Sequence, residues 1–163
     1  MSATTNQTAN QATNRASNPT PTLNPQLIGE AENAHKPLMA HVLRGTGTTF
    51  VQWVALKTVA AGGGAVHRDQ VVGRLTGSLK TDGATARATV TGLTDARLLR
   101  TAPDDEAKVA FTESGAALYH RLSTSVAEIT ADVYSGIPAE DMATAARVLA
   151  RITARANAVV TAA

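Results

Sequence analysis

The sequence contains no cysteine in its 163 residues. Structural disulfides, thiolate metal ligands and thiol-based redox sensing are therefore excluded for this chain. The four histidines, at positions 35, 41, 67 and 120, form no i, i+4 pair. A closed zinc site would need three distant segments to converge. We therefore expect no metal ion and no cofactor.

Long hydrophobic runs are also missing. No apolar segment approaches the roughly 20 residues that a helix needs to cross a bilayer. The N-terminal segment does not combine a positively charged region with a hydrophobic block, which is the pattern of a secretory signal. We therefore expect no membrane partner and a cytoplasmic location.

The motifs of common enzymes are missing too. The glycine run Gly62-Gly63-Gly64 follows a predicted helix and lacks the Lys-Ser/Thr or second-glycine spacing of a phosphate-binding loop. No Ser/His/acid set or pair of carboxylates is arranged for catalysis. We therefore expect that the protein is not an enzyme.

The net charge is small, +2 from 15 basic and 13 acidic side chains. Residues 66–112 carry seven basic and six acidic groups, which leaves that segment at 7 − 6 = +1. Such a balance neither demands nor excludes a polyanionic partner. The electrostatic signal for nucleic-acid binding is therefore weak.

The composition changes near residue 25. Residues 1–25 are Ser, Thr, Asn, Gln, Ala and Pro with one charge, Arg15, and almost no large apolar side chain, so they cannot bury enough surface to offset the cost of ordering. We expect a disordered polar tail there; a transit peptide, the alternative, would need several arginines. Residues 26–163 are long enough for a single domain.

Two segments predict long helices that flank a central unit. From Leu27 onward, apolar residues recur at helical spacing, and Pro37 either kinks this helix or begins a new one. In 113–163 two more helices are predicted, the first capped by Thr112 and the second begun by Pro138. Along the last helix, steps of three and four describe an apolar seam of Met142, Ala145, Leu149, Ile152, Ala156 and Val159. We interpret 27–46 and 113–163 as dimerisation helices; packing of the seam within one chain is the alternative.

The central segment, 48–112, has the order of a winged helix-turn-helix. A helix over Thr49–Ala60 ends at the glycine run, and shorter helices follow at about His67–Thr76 and Asp82–Ala96. The strings Leu98–Thr101 and Lys108–Phe111 then suit two antiparallel strands around a polar tip. The sequence therefore predicts a mainly α fold with a small β wing, in which the winged unit carries long N- and C-terminal dimerisation helices.

The helix that begins after Asp82 is suited to a DNA major groove. Arg87 is the candidate for a base contact, most naturally to guanine; a solvated surface arginine is the alternative. Shorter polar or methyl contacts are expected from Thr85, Ala88 and Thr91. The remaining basic candidates, chiefly for phosphate contacts, are Arg68, Arg74, Lys80 and Lys108.

Several strings resemble those of MarR-type transcription regulators. Gln52-Trp53 within Thr49–Leu56 resembles the second-helix pattern of that family, and Leu93–Arg100 resembles the end of its recognition helix. Phe111-Thr112-Glu113-Ser114-Gly115 is similar to the leucine-threonine-x-x-glycine that joins wing to fifth helix. The order of these strings extends the resemblance over about Leu27 to Val160.

Two positions depart from that family. Arg97 stands where the family usually has a glycine in the left-handed conformation, so a different helix exit or some strain is expected. The wing tip reads Asp104-Asp105-Glu106 instead of an Asp-x-Arg motif, and carboxylates near phosphates repel them. The charge of this wing tip therefore opposes minor-groove binding.

The resemblance implies a homodimer that binds a pseudo-palindromic operator in double-stranded DNA and acts as a repressor. It also implies release by a small aromatic or phenolic ligand in a crevice beside the dimerisation helices, for which the candidate lining residues are His35, Met39, His41 and Trp53. Trp53 as a core anchor, and the histidines as hydrogen-bonded structural residues, are the alternatives. The alternative function is a winged-helix protein-interaction module that has lost DNA binding.

Overall fold

The computed structural model describes residues 22–162. Most of the predicted polar tail, 1–25, lies outside the described residues. The chain divides into two compact units, one ending at Lys36 and one beginning at Pro37. The elements are α1 (Pro25–Leu43), α2 (Phe50–Ala61), β1 (Ala65–His67), α3 (Arg68–Leu79), α4 (Gly83–Asp95), β2 (Leu99–Ala102), β3 (Asp105–Phe111), α5 (Glu113–Val133) and α6 (Ala139–Ala162).

Helix α1 runs through Pro37 without ending there. The sequence left open whether a new helix begins at this proline, and the structure has one helix. Its start is stabilised by Asn24, whose side-chain oxygen accepts a hydrogen bond from the Leu27 N–H at 2.9 Å. Beyond Pro37, the side chains of Met39, Val42 and Leu43 pack against the hydrophobic core.

Helix α2 begins with a capping box and ends at glycine. The Thr49 hydroxyl accepts from the Gln52 N–H at 3.2 Å, and the Thr49 N–H donates to the Gln52 side chain at 2.9 Å. Thr49, and not the neighbouring Thr48, is therefore the N-cap. At the other end Gly63 and Gly64 adopt φ values of +77° and +95°, which other residues rarely adopt. The glycine run thus reverses the chain into β1.

The sheet has the order β1-β3-β2, with both pairs antiparallel. Strand β1 was not predicted, because three residues are too few for an alternating pattern to be visible. The two predicted strands are present; β2 is shifted one residue toward the tip and ends at Ala102, and β3 is three residues longer there and begins at Asp105. The acidic residues Asp105 and Glu106 therefore lie in a strand, and only Pro103 and Asp104 separate the two strands.

Helices α3 and α4 form the helix-turn-helix. Lys80 ends α3 in the left-handed conformation, with φ +55°. Asp82 then caps α4, accepting the Thr85 N–H at 2.9 Å, and α4 begins at Gly83, within the predicted range. Helix α3 reaches Leu79, three residues beyond the predicted end.

The end of α4 shows which backbone conformation Arg97 adopts in place of a glycine. The N–H of Leu98 donates to the Leu93 carbonyl and the N–H of Arg97 to the Thr94 carbonyl, both at 2.9 Å, which is the Schellman pattern of a helix C-terminus. Arg97 occupies the left-handed position of that pattern with φ +56°. The expected strain is therefore located in the backbone of Arg97, at a cost of about 1–2 kcal/mol.

One hydrophobic core lies beneath the winged helix-turn-helix. Helix α2, helices α3 and α4, the sheet and the first turns of α5 all contribute fully or nearly fully buried side chains. The largest of these are Trp53, Leu56, Leu75, Leu93, Leu99, Leu118 and Leu122. The core therefore fixes α4 against the rest of the winged unit.

Helix α5 contributes to this core only with its first turns, and α6 follows it in the chain. Thr112 caps α5 by accepting the Gly115 N–H at 3.0 Å, as predicted. Helix α6 buries no residue within the described chain. Its seam includes Leu149 and Ile152, which are each 40% exposed. No helix of the described chain is both long and apolar enough to cross a bilayer.

Candidate nucleic-acid interface

Helix α4 turns one face inward and one outward. Ala86, Val90 and Leu93 are fully buried, and they recur at the helical spacing of a core-facing stripe. Ala88 and Thr91, on the opposite side, are exposed. The burial pattern of α4 therefore places the contact candidates Ala88 and Thr91 on its exposed side.

The outward face is centred on three small side chains. Ala84, Ala88 and Thr91 follow one another at i, i+4 and i+7, so they lie along one line of the helix surface. Arg87 and Thr85, both exposed, flank that line on opposite sides. The side chains at the centre of this face are therefore short, so the helix backbone can approach a partner closely.

The Arg87 guanidinium lies beside the first turn of its own helix. A Cβ placed on Gly83 would be 3.3 Å from Nη1 of Arg87, so the side chain folds back over the N-terminal end of α4. No salt bridge within residues 22–162 involves Arg87. The charge of Arg87 is thus not neutralised by a carboxylate in the described chain.

Asp82 holds the start of α4 in place electrostatically as well as geometrically. The hydrogen bonds that its carboxylate accepts from Thr85 lower the pKa of Asp82 below its ordinary value. The carboxylate also lies at the positive end of the helix dipole. Asp82 is therefore ionised at neutral pH and fixes the first turn, which carries Ala84 and Thr85.

Three of the candidate phosphate-binding residues precede α4 in the sequence. Arg74 and Lys80 are exposed, and Arg68, the first residue of α3, is partly exposed. The Lys80 ammonium donates to the side-chain oxygen of Asn157 in α6 at 3.0 Å. Sequence reasoning did not find this contact, because the two residues are 77 positions apart.

The wing lysine is already paired. Lys108 Nζ lies 3.5 Å from Oδ2 of Asp105. The pKa of Asp105 is lowered first by the hydrogen bond from the Ala107 N–H and then by Lys108. Asp104 and Glu106 are exposed. The wing tip therefore presents net negative charge, as its sequence indicates.

Two exposed arginines near the wing were not among the predicted DNA contacts. Arg97 follows α4 and Arg100 lies in β2, and both side chains are exposed. The signal that marks Arg100 is its place in a strand, directly after the buried Leu99. These two arginines add positive charge between α4 and the acidic tip.

The chain segment at the end of α4 is in close contact with the start of α5. Two hydroxyls donate to the Arg97 carbonyl oxygen, Thr112 Oγ1 at 2.6 Å and Ser114 Oγ at 2.9 Å. Gly115 packs directly on Leu98, since an added Cβ would overlap the Leu98 carbonyl oxygen. The wing and α5 are therefore fixed to the exit of α4.

The predicted ligand-lining residues lie in different environments. Trp53 is 4% exposed and stacks on Tyr119, with ring centroids 5.6 Å apart, so its role as a core anchor is confirmed. Met39 packs against the same core, whereas His41 is exposed. His35 belongs to the N-terminal unit, where Nδ1 donates to the Ala31 carbonyl oxygen at 2.7 Å.

These elements define a winged helix-turn-helix, and solved structures of MarR-type regulators share it. A MarR-family transcriptional regulator from Rhodococcus sp. RHA1 gives a TM-score of 0.62 at 19% identity, over 78% of this chain and 89% of its own. BpsR of Bordetella bronchiseptica, whose DNA binding is regulated by 6-hydroxynicotinic acid, gives 0.61 at 21% identity, over 78% and 96%. The PcaV transcriptional regulator of Streptomyces coelicolor, solved with its natural ligand, gives 0.63 at 19% identity, over 84% and 99%.

The chain therefore has the MarR-type winged-helix fold, and the resemblance seen in the sequence is confirmed at the level of the fold. The structures that share it are regulators of transcription rather than enzymes. No protein-family model matches the sequence, and no curated protein matches it.

Proposed function

We propose that this protein is a MarR-family transcription regulator that binds a pseudo-palindromic operator as a homodimer and represses until a small aromatic or phenolic ligand releases it. The observation that carries DNA binding is the outward face of α4. That face is exposed, capped by Asp82 and fixed from behind by Ala86, Val90 and Leu93. A rigid helix with its N-terminal half free is the arrangement that reads base edges in the major groove.

The exposed seam of α6 supports the homodimer. Leu149 and Ile152 lie on one face of a helix that has no buried residue within the described chain. Apolar side chains arranged in steps of three and four are typical of helices that pack on a partner helix. A second copy would cover this seam and place two α4 helices in one assembly, as a two-fold symmetric operator requires.

Two observations support release by a ligand. The structural relative BpsR is regulated by an aromatic acid, 6-hydroxynicotinic acid, and PcaV was solved with its natural ligand. We retain Met39 and His41 as candidate lining residues, because Trp53 is a core anchor and His35 belongs to the other unit. A ligand that favours one spacing of the two α4 helices would shift the population away from the DNA-binding state.

Selection from a random pool of duplex DNA tests the proposal. We expect the full chain to enrich one sequence family with inverted half-sites about one helical turn apart. Its affinity for the enriched duplex should fall steeply with salt, because phosphate contacts release counterions. Enrichment of no sequence would contradict the proposal. Aromatic and phenolic acids can then be screened for release of the bound duplex.

The acidic wing tip favours a second candidate, a winged-helix module that binds another protein. Asp104 and Glu106 are exposed and Lys108 is paired with Asp105, so the wing repels phosphates. The selection from random duplex DNA distinguishes the two functions, since a protein-interaction module would enrich no DNA sequence.

A further inference from the structure

The outward face of α4 carries methyl groups where hydrogen-bonding side chains are expected for base reading. Among residues Gly83–Asp95 the charged side chains are Arg87 and Asp95, and there is no Asn, Gln, Lys, Glu or His. Two of the helix hydroxyls are used internally, since Thr89 donates to the Thr85 carbonyl at 2.9 Å and Thr94 to the Val90 carbonyl at 3.1 Å. Few polar groups therefore remain for base edges.

This inventory limits what the helix can recognise. Adenine is usually read by Asn or Gln and cytosine by a carboxylate, whereas guanine is read by Arg and thymine by apolar contact with its C5-methyl group. Helix α4 has no Asn or Gln, and Asp95, its only carboxylate, is the last residue of the helix. What remains is one arginine, Arg87, the hydroxyls of Thr85 and Thr91, and a line of small side chains that presents methyl groups.

Those small side chains are placed for methyl contacts. Ala84, Ala88 and Thr91 are exposed and share one line of the helix surface. The line from Ala84 to Thr91 is about 10 Å long at about 1.5 Å of rise per residue. That length covers about three steps of duplex DNA at roughly 3.4 Å each. The short side chains also let the helix lie deep in the groove.

We infer that each operator half-site presents at least two thymines whose C5-methyl groups pack against Ala84, Ala88 and Thr91, beside one guanine bound by Arg87. The inference rests on the proposed function, and it names the class of DNA sequence that this helix recognises. The half-site is read largely by its methyl groups, and Lys80 and Arg74 supply affinity that does not depend on sequence.

Replacement of single thymines by deoxyuridine in the selected operator tests the inference, because it removes only the C5-methyl group. We expect the affinity of the full chain to fall about fourfold at two or more thymines of a half-site, the factor for one buried carbon. If no thymine replacement changes the affinity, the inference is wrong and the proposed function stands. If no operator can be selected, the proposed function fails first, and the inference fails with it.

Variants of α4 assign the effect to its residues. In Ala84→Gly and Ala88→Gly, the ratio of affinities for thymine and deoxyuridine duplexes should fall from about four to about one at one thymine each. A loss of helix stability affects both duplexes equally and cancels in this ratio. Ala117→Gly, at an exposed position of α5, is the matched control and should leave the ratio unchanged. An unchanged ratio in both α4 variants would overturn the inference.

Discussion

At the scale of single residues, Gly115 is fixed by the close approach of two chain segments. An added Cβ would lie 2.8 Å from the Leu98 carbonyl carbon and would overlap its oxygen. Both atoms belong to the backbone, so a side-chain rotation cannot relieve the contact. The glycine that resembles a family motif in the sequence thus has a steric cause in the structure.

Gly115→Ala should therefore destabilise the fold by about 3 kcal/mol, the upper end of overpacking costs. Chemical denaturation of the variant measures this loss. Gly73→Ala is the matched control, because a Cβ at Gly73 in α3 meets nothing within 4 Å. It should stabilise the protein by about 0.5–1 kcal/mol. Equal effects at the two glycines would show that Gly115 and Leu98 are not in close contact.

The carboxylate of Asp82 makes the stability of α4 depend on pH. Its pKa is lowered by the hydrogen bonds from Thr85, so the cap is complete above the ordinary carboxyl pKa of about 3.9. It is lost as the pH falls through the lower pKa of the folded state. We expect Asp82→Ala to lower Tm at pH 7, and this difference from the unaltered protein to shrink below about pH 4. Thermal melts across that range measure it, and a difference that grows on acidification would be inconsistent with this cap.

At the scale of elements, the sequence predicted each helix of the winged unit but missed β1. The helices were visible because Thr49, Asp82 and Thr112 are N-caps that precede apolar residues at helical spacing. Strand β1 depends on pairing with Ala110, Val109 and Lys108, more than 40 positions later, and a three-residue strand has no signal of its own. The continuity of α1 through Pro37 was also undecided, since proline fits either a kink or a helix start.

The candidate interface was predicted to a similar extent. The outward position of Thr85, Arg87, Ala88 and Thr91 followed from the periodicity of α4 alone. The contact of Lys80 with Asn157 and the ion pair of Lys108 with Asp105 depend on tertiary placement or on side-chain rotamers. Sequence spacing was therefore enough to predict which residues of α4 face outward, whereas the partners of the charged side chains could be identified only from the structure.

The wing is an element whose charge opposes DNA binding. We expect the double variant Asp104→Asn/Glu106→Gln to bind the selected operator more tightly at low salt. A carboxylate at about 7 Å from a phosphate costs about 0.6 kcal/mol in water, so removing both relieves about 1.2 kcal/mol, or about eightfold in affinity. Titration at two salt concentrations measures the gain, which should shrink as salt screens the charges. An unchanged affinity would place the wing tip away from the duplex.

At the scale of the whole molecule, the exposed seam of α6 predicts self-association. Ile152→Glu places a charge on the seam and should convert a dimer into monomers, since an unpaired charge in an apolar contact is costly. Sedimentation measures the mass, and circular dichroism checks that the helices remain. Ala154→Glu adds the same charge to the opposite, exposed face of α6 and should leave the dimer intact. A monomeric unaltered protein would contradict the proposed assembly.

The central claim is that the outward face of α4 binds the operator, and the affinity of Arg87→Ala for the selected duplex tests it most directly. We predict a loss of about 1–3 kcal/mol together with relaxed preference at one guanine, the result expected when a bidentate arginine is removed. Arg151→Ala, an exposed arginine of α6, should bind as the unaltered protein does. If Arg87→Ala binds the operator with unchanged affinity and unchanged preference at every base pair, α4 does not read DNA in the way described.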